Sequence, residues 1–84
     1  MAEIIKVSGE QVKVESKLTL EVMQEIVGGY IEMIPTTDGK ILVINEEGKL
    51  KGLPLNESAT DMCNLFEGDY IVGNVILCTN EEVD

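Results

Sequence analysis

The sequence predicts a small α+β domain, a mainly antiparallel sheet carrying two helices in the order β-β-α-β-β-α-β. Short β-branched runs alternate with turn residues along most of the chain. Two stretches, beginning near Thr19 and near Asn56, instead place apolar residues at helical spacing behind a capping side chain. At 84 residues the chain has the length of one domain, spanning 1–84, with residues 80–84 expected as a frayed acidic tail.

The elements follow in order. Ile4–Val7 and Val12–Glu15 read as short strands around Ser8-Gly9-Glu10-Gln11. Ser16 or Thr19 can accept a hydrogen bond from a free amide and so open a helix running to Val27. Its buried stripe is expected at Leu20, Met23, Ile26 and Val27, and Gly28-Gly29 ends it. Tyr30–Ile34 is a strand ended by Pro35, and Ile41–Ile44, apolar at successive positions, is a strand central in its sheet. Thr36-Thr37-Asp38-Gly39 joins them, with Asp-Gly as the turn signal. Asn56 caps a second helix over Glu57–Phe66 that presents Ala59, Met62, Cys63 and Phe66 on one face. Tyr70–Thr79 is the longest strand candidate, with Gly73-Asn74 marking a bulge or a close backbone approach. Both helices are expected on one face of the sheet, with Leu20, Met23, Ile26, Val43, Ile44, Phe66, Ile71 and Val75 largely buried.

Six Lys against sixteen Asp plus Glu, with no Arg or His, give a net charge of −10. That balance disfavours direct binding to nucleic acid or anionic membranes, where Lys and Arg neutralise phosphates. Every Lys lies at or before Lys51, so the last third carries one sign. No apolar run approaches the roughly 18 residues that span a bilayer, and no secretory signal is evident, so a cytoplasmic location is expected. Cys63 and Cys78 form no Cys-x-x-Cys and have no His to complete a metal set, so both are expected as buried reduced thiols. A chain this small buries only about 60 to 65 % of its unfolded surface, and the aromatic-poor core makes a homo-oligomer a reasonable expectation.

The chemistry available is thin. General acid–base and nucleophilic catalysis need a base beside a reactive group, and here there is no His and no cation near either Cys in sequence. The expectation is a nonenzymatic protein with no catalytic residues, no metal and no cofactor. Gly28-Gly29 closes a helix, whereas a phosphate cradle opens one. The turn-rich segment Asn45–Asn56 stands out as a shaped loop, because Gly48 and Gly52 admit unusual backbone angles and Pro54 fixes φ. Ligand-binding candidates are Lys49 and Lys51 as phosphate partners, Asn45, Asn56 and Thr60 as polar readers, and Tyr30 as a stacking platform. Lys40 flanks the same segment. Capping and turn duty is the competing explanation for the three polar residues.

Gly29-Tyr30-Ile31-Glu32, the block Leu42–Asn56, Ala59-Thr60 and Ile71-Val72-Gly73-Asn74-Val75 together resemble the small proteins described as domain of unknown function 3846. The resemblance covers most of residues 18–78, leaving the first hairpin outside. Proteins of this kind are carried by phages and other mobile elements, so the resemblance implies a host-interaction or counter-defence role and supplies no catalytic residues. Two functional classes follow. One is a counter-defence protein that sequesters a small nucleotide-type immune signal at a subunit interface, where symmetric assembly creates concavity. The other is an acidic protein-interaction inhibitor that occupies a basic groove of a host protein as a DNA mimic would.

Overall fold

The computed structural model describes residues 1–83, so Asp84 of the expected tail lies outside the described residues. The elements are β1 (Glu3–Ile5), β2 (Gln11–Lys13), α1 (Leu20–Val27), β3 (Ile31–Pro35), β4 (Ile41–Asn45), α2 (Glu57–Asp61) and β5 (Val75–Cys78), followed by a 3-10 turn at Asn80–Glu82. They form a 5-stranded sheet of order β2-β1-β5-β4-β3, antiparallel throughout. The α+β architecture and element order match the sequence reading.

Side chains alternate across β4 and β5, which gives the sheet two apolar faces. Ile41, Val43, Ile76 and Cys78 join Met23 and Val27 of α1, with Ala2 and Leu18, in one buried cluster. Leu42 and Val75 join Ile5, Ile71 and Ala59 of α2 in the other. The two helices therefore cover opposite faces, correcting the expectation of one. The reason lies in β4: an apolar residue at each position from 41 to 44 requires cover on both sides. β4 is interior as expected, although β5 holds the middle of the sheet.

Thr19 caps α1 by accepting from the Val22 amide at 3.2 Å, and Gly28, at φ +84°, ends it with its amide donating to Gln24 at 2.8 Å. Because the helix starts at Leu20, that residue sits on the first turn and is 52 % exposed, not buried. Val22 and Ile26 pack part-buried beside Met23 instead. Pro35 is the last residue of β3 and does not interrupt it, because β3 is an edge strand whose outward amides need no partner.

The expected second helix is cut to one short segment ending at Asp61. Phe66, placed in the core from sequence, is 90 % exposed, and Leu65 packs part-buried in that region instead. The long final strand is likewise shortened. Gly73 takes φ +77°, and residues 70–74 leave regular pairing except for a single bridge from Val72 to Leu55. The Gly73 amide donates to the Pro54 carbonyl at 2.8 Å, the close backbone approach the sequence suggested, and a Cβ at Gly73 would lie 2.8 Å from the Leu53 side chain at Cδ1.

The expected frayed tail is ordered through Val83. The Glu82 carboxylate accepts from the Thr79 amide at 2.9 Å and from its hydroxyl at 3.1 Å, Val83 bridges Leu18, and the N-terminal ammonium lies 3.6 Å from Glu82. Val43, Ile71 and Val75 are buried as expected, while Ile26 and Ile44 are half-buried. Cys78 is buried and Cys63 half-buried, both free thiols.

Candidate functional site

The loop from Asn45 to Asn56 has a defined shape because its backbone is tied at close intervals. Gly48, Lys51 and Leu53 donate to Asn45, Glu47 and Gly48 carbonyls at 3.1, 3.0 and 3.0 Å. Gly48 is required by space, since an added Cβ would lie 2.8 Å from Val72 Cγ2. The loop begins at buried Asn45, whose Nδ2 donates to the Val27 carbonyl at 3.0 Å while Oδ1 accepts from the Glu47 amide at 2.9 Å. Asn45 thus fastens the loop to the end of α1.

Lys51 reaches the same helix end. Its Nζ lies 3.4 Å from the Gly28 carbonyl, where a cation complements the negative end of the helix. Gly29 fits beneath because a Cβ there would stand 2.7 Å from Lys51 Nζ and 3.1 Å from Asn45 Nδ2. Tyr30 follows directly and is 67 % exposed, its carbonyl accepting from the Glu46 amide at 2.9 Å. Tyr30, Asn45 and Lys51 are therefore brought together around the end of α1.

Lys49 points elsewhere. Its ammonium pairs closely with Asp69 and stands 4.5 Å from the centroid of the Tyr70 ring. The hydrogen bond to Asp69 raises the Lys49 pKa above its ordinary value, and the same bond, aided by the Tyr70 amide at 2.8 Å, lowers that of the Asp69 carboxyl. This group lies at a cleft of about 190 Å3 bounded also by Glu32, Glu46 and Leu50, with Ile34, Ile44 and Ile71 beneath.

Asn56 and Thr60 form a third group. Asn56 is fully enclosed: Nδ2 donates to the Ile5 and Gly73 carbonyls at 2.9 and 2.8 Å, and Oδ1 caps α2 by accepting from Ala59 at 3.0 Å. Thr60 Oγ1 donates to the Asn56 carbonyl at 2.8 Å and accepts from the Ile71 amide at 2.9 Å. These two side chains join α2 to β1 and to the segment preceding β5. The six candidates thus divide among three places, and in the third Asn56 is closed to solvent.

A family model described as Domain of unknown function (DUF3846) matches residues 1–84. The chain belongs to the DUF3846 family. Membership extends over the first hairpin, which the resemblance read from sequence had left outside. No curated protein and no solved structure matches the chain.

Sequence reasoning about this DUF3846 chain missed Asp69 and Tyr70 as partners of Lys49. Twenty residues separate Lys49 from Asp69, so only the fold brings them together. The two thiols are held protonated: burial and the nearby Glu82 carboxylate push Cys78 up to about 11, and burial raises Cys63. Among the described residues of the DUF3846 chain, no group of three or more His, Cys, Asp or Glu side chains could hold a metal ion. No helix among them is long and apolar enough to cross a membrane.

Proposed function

We propose that this protein is a nonenzymatic counter-defence protein of a phage or mobile element that sequesters a small nucleotide-type signal, using Tyr30 and Lys51 at a face completed by a second copy. One observation carries the reading. Lys51 has no carboxylate partner among the described residues, and it stands beside the glycine that precedes a two-thirds exposed aromatic ring. An ammonium without a carboxylate partner, and an exposed ring one residue beyond the glycine it stands beside, are the kinds of group that engage a phosphate and its base. The face is not enclosed by one chain, which is why a homo-oligomer belongs to the proposal.

Calorimetric titration with mononucleotides, cyclic dinucleotides and ADP-ribose-type compounds tests it, alongside light scattering for the mass in solution. Tyr30→Ala and Lys51→Gln should each weaken binding at least tenfold while Lys49→Gln leaves it intact. Absence of binding throughout the panel, or a monomeric mass with bound nucleotide, would remove the respective part of the proposal.

A second reading, the acidic protein-interaction inhibitor, draws on the distribution of charge. Glu57, Asp61 and Glu67 have no lysine partner among the described residues, in a chain of net charge −10. Neutralising these three should weaken capture of a basic protein, and salt should weaken it further, because surface charges are screened within about 8 to 10 Å.

A further inference from the structure

The cleft beside Lys49 has the wrong charge for the nucleotide and the right chemistry for a basic side chain. Glu32, Glu46 and Asp69 line it together with Lys49, three acidic residues to one basic. The ammonium itself reports what the cleft favours: Lys49 lies over the Tyr70 ring at 4.5 Å and is paired with Asp69. A cation on an aromatic face with a carboxylate beside it is a recognition arrangement for Lys and Arg, with Arg the better fit because its planar group stacks and pairs two-pronged. Ile34, Ile44 and Ile71 below supply apolar surface for the aliphatic stem. Beside the cleft Leu50 is 87 % exposed, a large apolar side chain left without cover.

We propose that this cleft is a docking subsite for an arginine side chain of a basic protein partner, and that Lys49 is an internal occupant which the incoming guanidinium displaces from Asp69 and Tyr70. The proposal deepens the acidic-inhibitor reading by locating its recognition point, and it rests on that reading. Charge complementarity fixes the class of partner. The subsite holds net negative charge even with Lys49 in place, and more once Lys49 swings out.

The test uses the full chain and a short neutral-capped peptide with two arginines separated by glycines, followed by calorimetry at low and moderate salt. Asp69→Asn and Glu21→Gln change net charge equally, but Glu21 lies on α1, across the sheet from the cleft. Expected results are a loss of roughly tenfold in affinity for Asp69→Asn, little change for Glu21→Gln, and a similar loss for Tyr70→Leu that Tyr70→Phe avoids. Lys49→Gln should bind the peptide more tightly, by roughly tenfold, because the competitor is gone. Circular dichroism establishes that each variant is folded. Equal losses for Asp69→Asn and Glu21→Gln would overturn the subsite while leaving a diffuse acidic surface, and weaker binding by Lys49→Gln would overturn the displacement. No peptide binding by the unmodified protein would remove both the subsite and the acidic reading.

Discussion

The two faces of the sheet are closed by different means. On one, α1 is a regular helix whose Met23 and Val27 enter a cluster made almost wholly of aliphatic contacts. On the other, α2 spans only Glu57–Asp61, and much of the cover comes from irregular chain pinned by Asn56 and Thr60. The α1 face depends on area removed from water, whereas the α2 face depends on a few hydrogen bonds in an enclosed place. The teaching is that a residue with the composition of a ligand contact can be what keeps a loop-built face shut.

If that contrast is right, the largest single loss should come from Asn56→Ala. Truncation takes a donor from the carbonyls of Ile5 and Gly73 and leaves the Ala59 amide without its cap. Removing one partner of a buried hydrogen bond costs about 1 to 3 kcal/mol and a cap about 1, so we expect destabilisation of about 3 to 5 kcal/mol by urea denaturation. Nucleotide affinity per folded molecule should be unchanged. A variant of wild-type stability would mean that the α2 face is not held by this side chain.

On the other face Met23→Ala should cost about 2 to 4 kcal/mol, through lost transfer energy and the cavity left behind. Met23 is 1 % exposed, and its loss should fall on the α1 cluster while amide exchange near Asn56 is preserved. Uniform loss of protection on both faces would show that the sheet transmits the damage and that the faces are one cooperative unit.

The same contrast explains what could be read from sequence. α1 was legible because Thr19, Gly28 and the 3.6-residue pattern agree, and β4 because its aliphatic run admits little else. Leu20 and Phe66 were misplaced for related reasons: periodicity says which residues share a face and not how far along that face the cover reaches or where the helix ends. The α1 stripe started one turn too early, and α2 stopped before Phe66 was reached. Gly73-Asn74 was correctly flagged, yet the strand before it was lost, because a positive φ at Gly73 turns the chain toward Pro54, whose carbonyl accepts from Gly73 at 2.8 Å. Of the candidate site residues, Lys49 and Lys51 are two apart and face different partners, a divergence set by the loop's turns and invisible in spacing.

Gly73→Ala should fall below the first two effects. A left-handed φ disfavours any side chain, and the new Cβ meets Leu53 Cδ1, the far end of a movable side chain. We expect a loss of about 1 to 3 kcal/mol, visible as a lowered denaturation midpoint, with increased exchange at Leu53. Phe66→Ala, by contrast, should change stability by no more than about 0.5 kcal/mol, because the ring is already in water. A large loss for Phe66→Ala in a monomer would return that residue to the core.

The smallest effect concerns acid. Glu82 has its pKa lowered, chiefly by the hydrogen bond its carboxylate accepts from the Thr79 amide at 2.9 Å. A carboxyl depressed in the folded state adds stability above its unfolded pKa and loses it as pH falls through the folded pKa. Raw pH dependence would not isolate this term, because a chain of net charge −10 also loses self-repulsion on protonation, which acts in the opposite direction. The difference between the unmodified protein and Glu82→Gln removes most of that background. Its denaturation midpoint should exceed that of Glu82→Gln at pH 7, and the gap should close progressively below the ordinary glutamate range. Asp69 follows the same sign through its bond to Lys49, so an Asp69→Asn series run in parallel compares the two faces directly. Glu82 sits where the N-terminus, Thr79 and the α1-face edge converge, whereas Asp69 borders an open cleft. The Glu82 gap should therefore survive moderate salt and the Asp69 gap should shrink, since an ion pair at an open mouth is screened while a backbone amide bond is not. Equal salt sensitivity in the two series would place both carboxylates in the same electrostatic setting and dissolve the distinction between a carboxylate held chiefly by a backbone amide and one held chiefly by an ammonium.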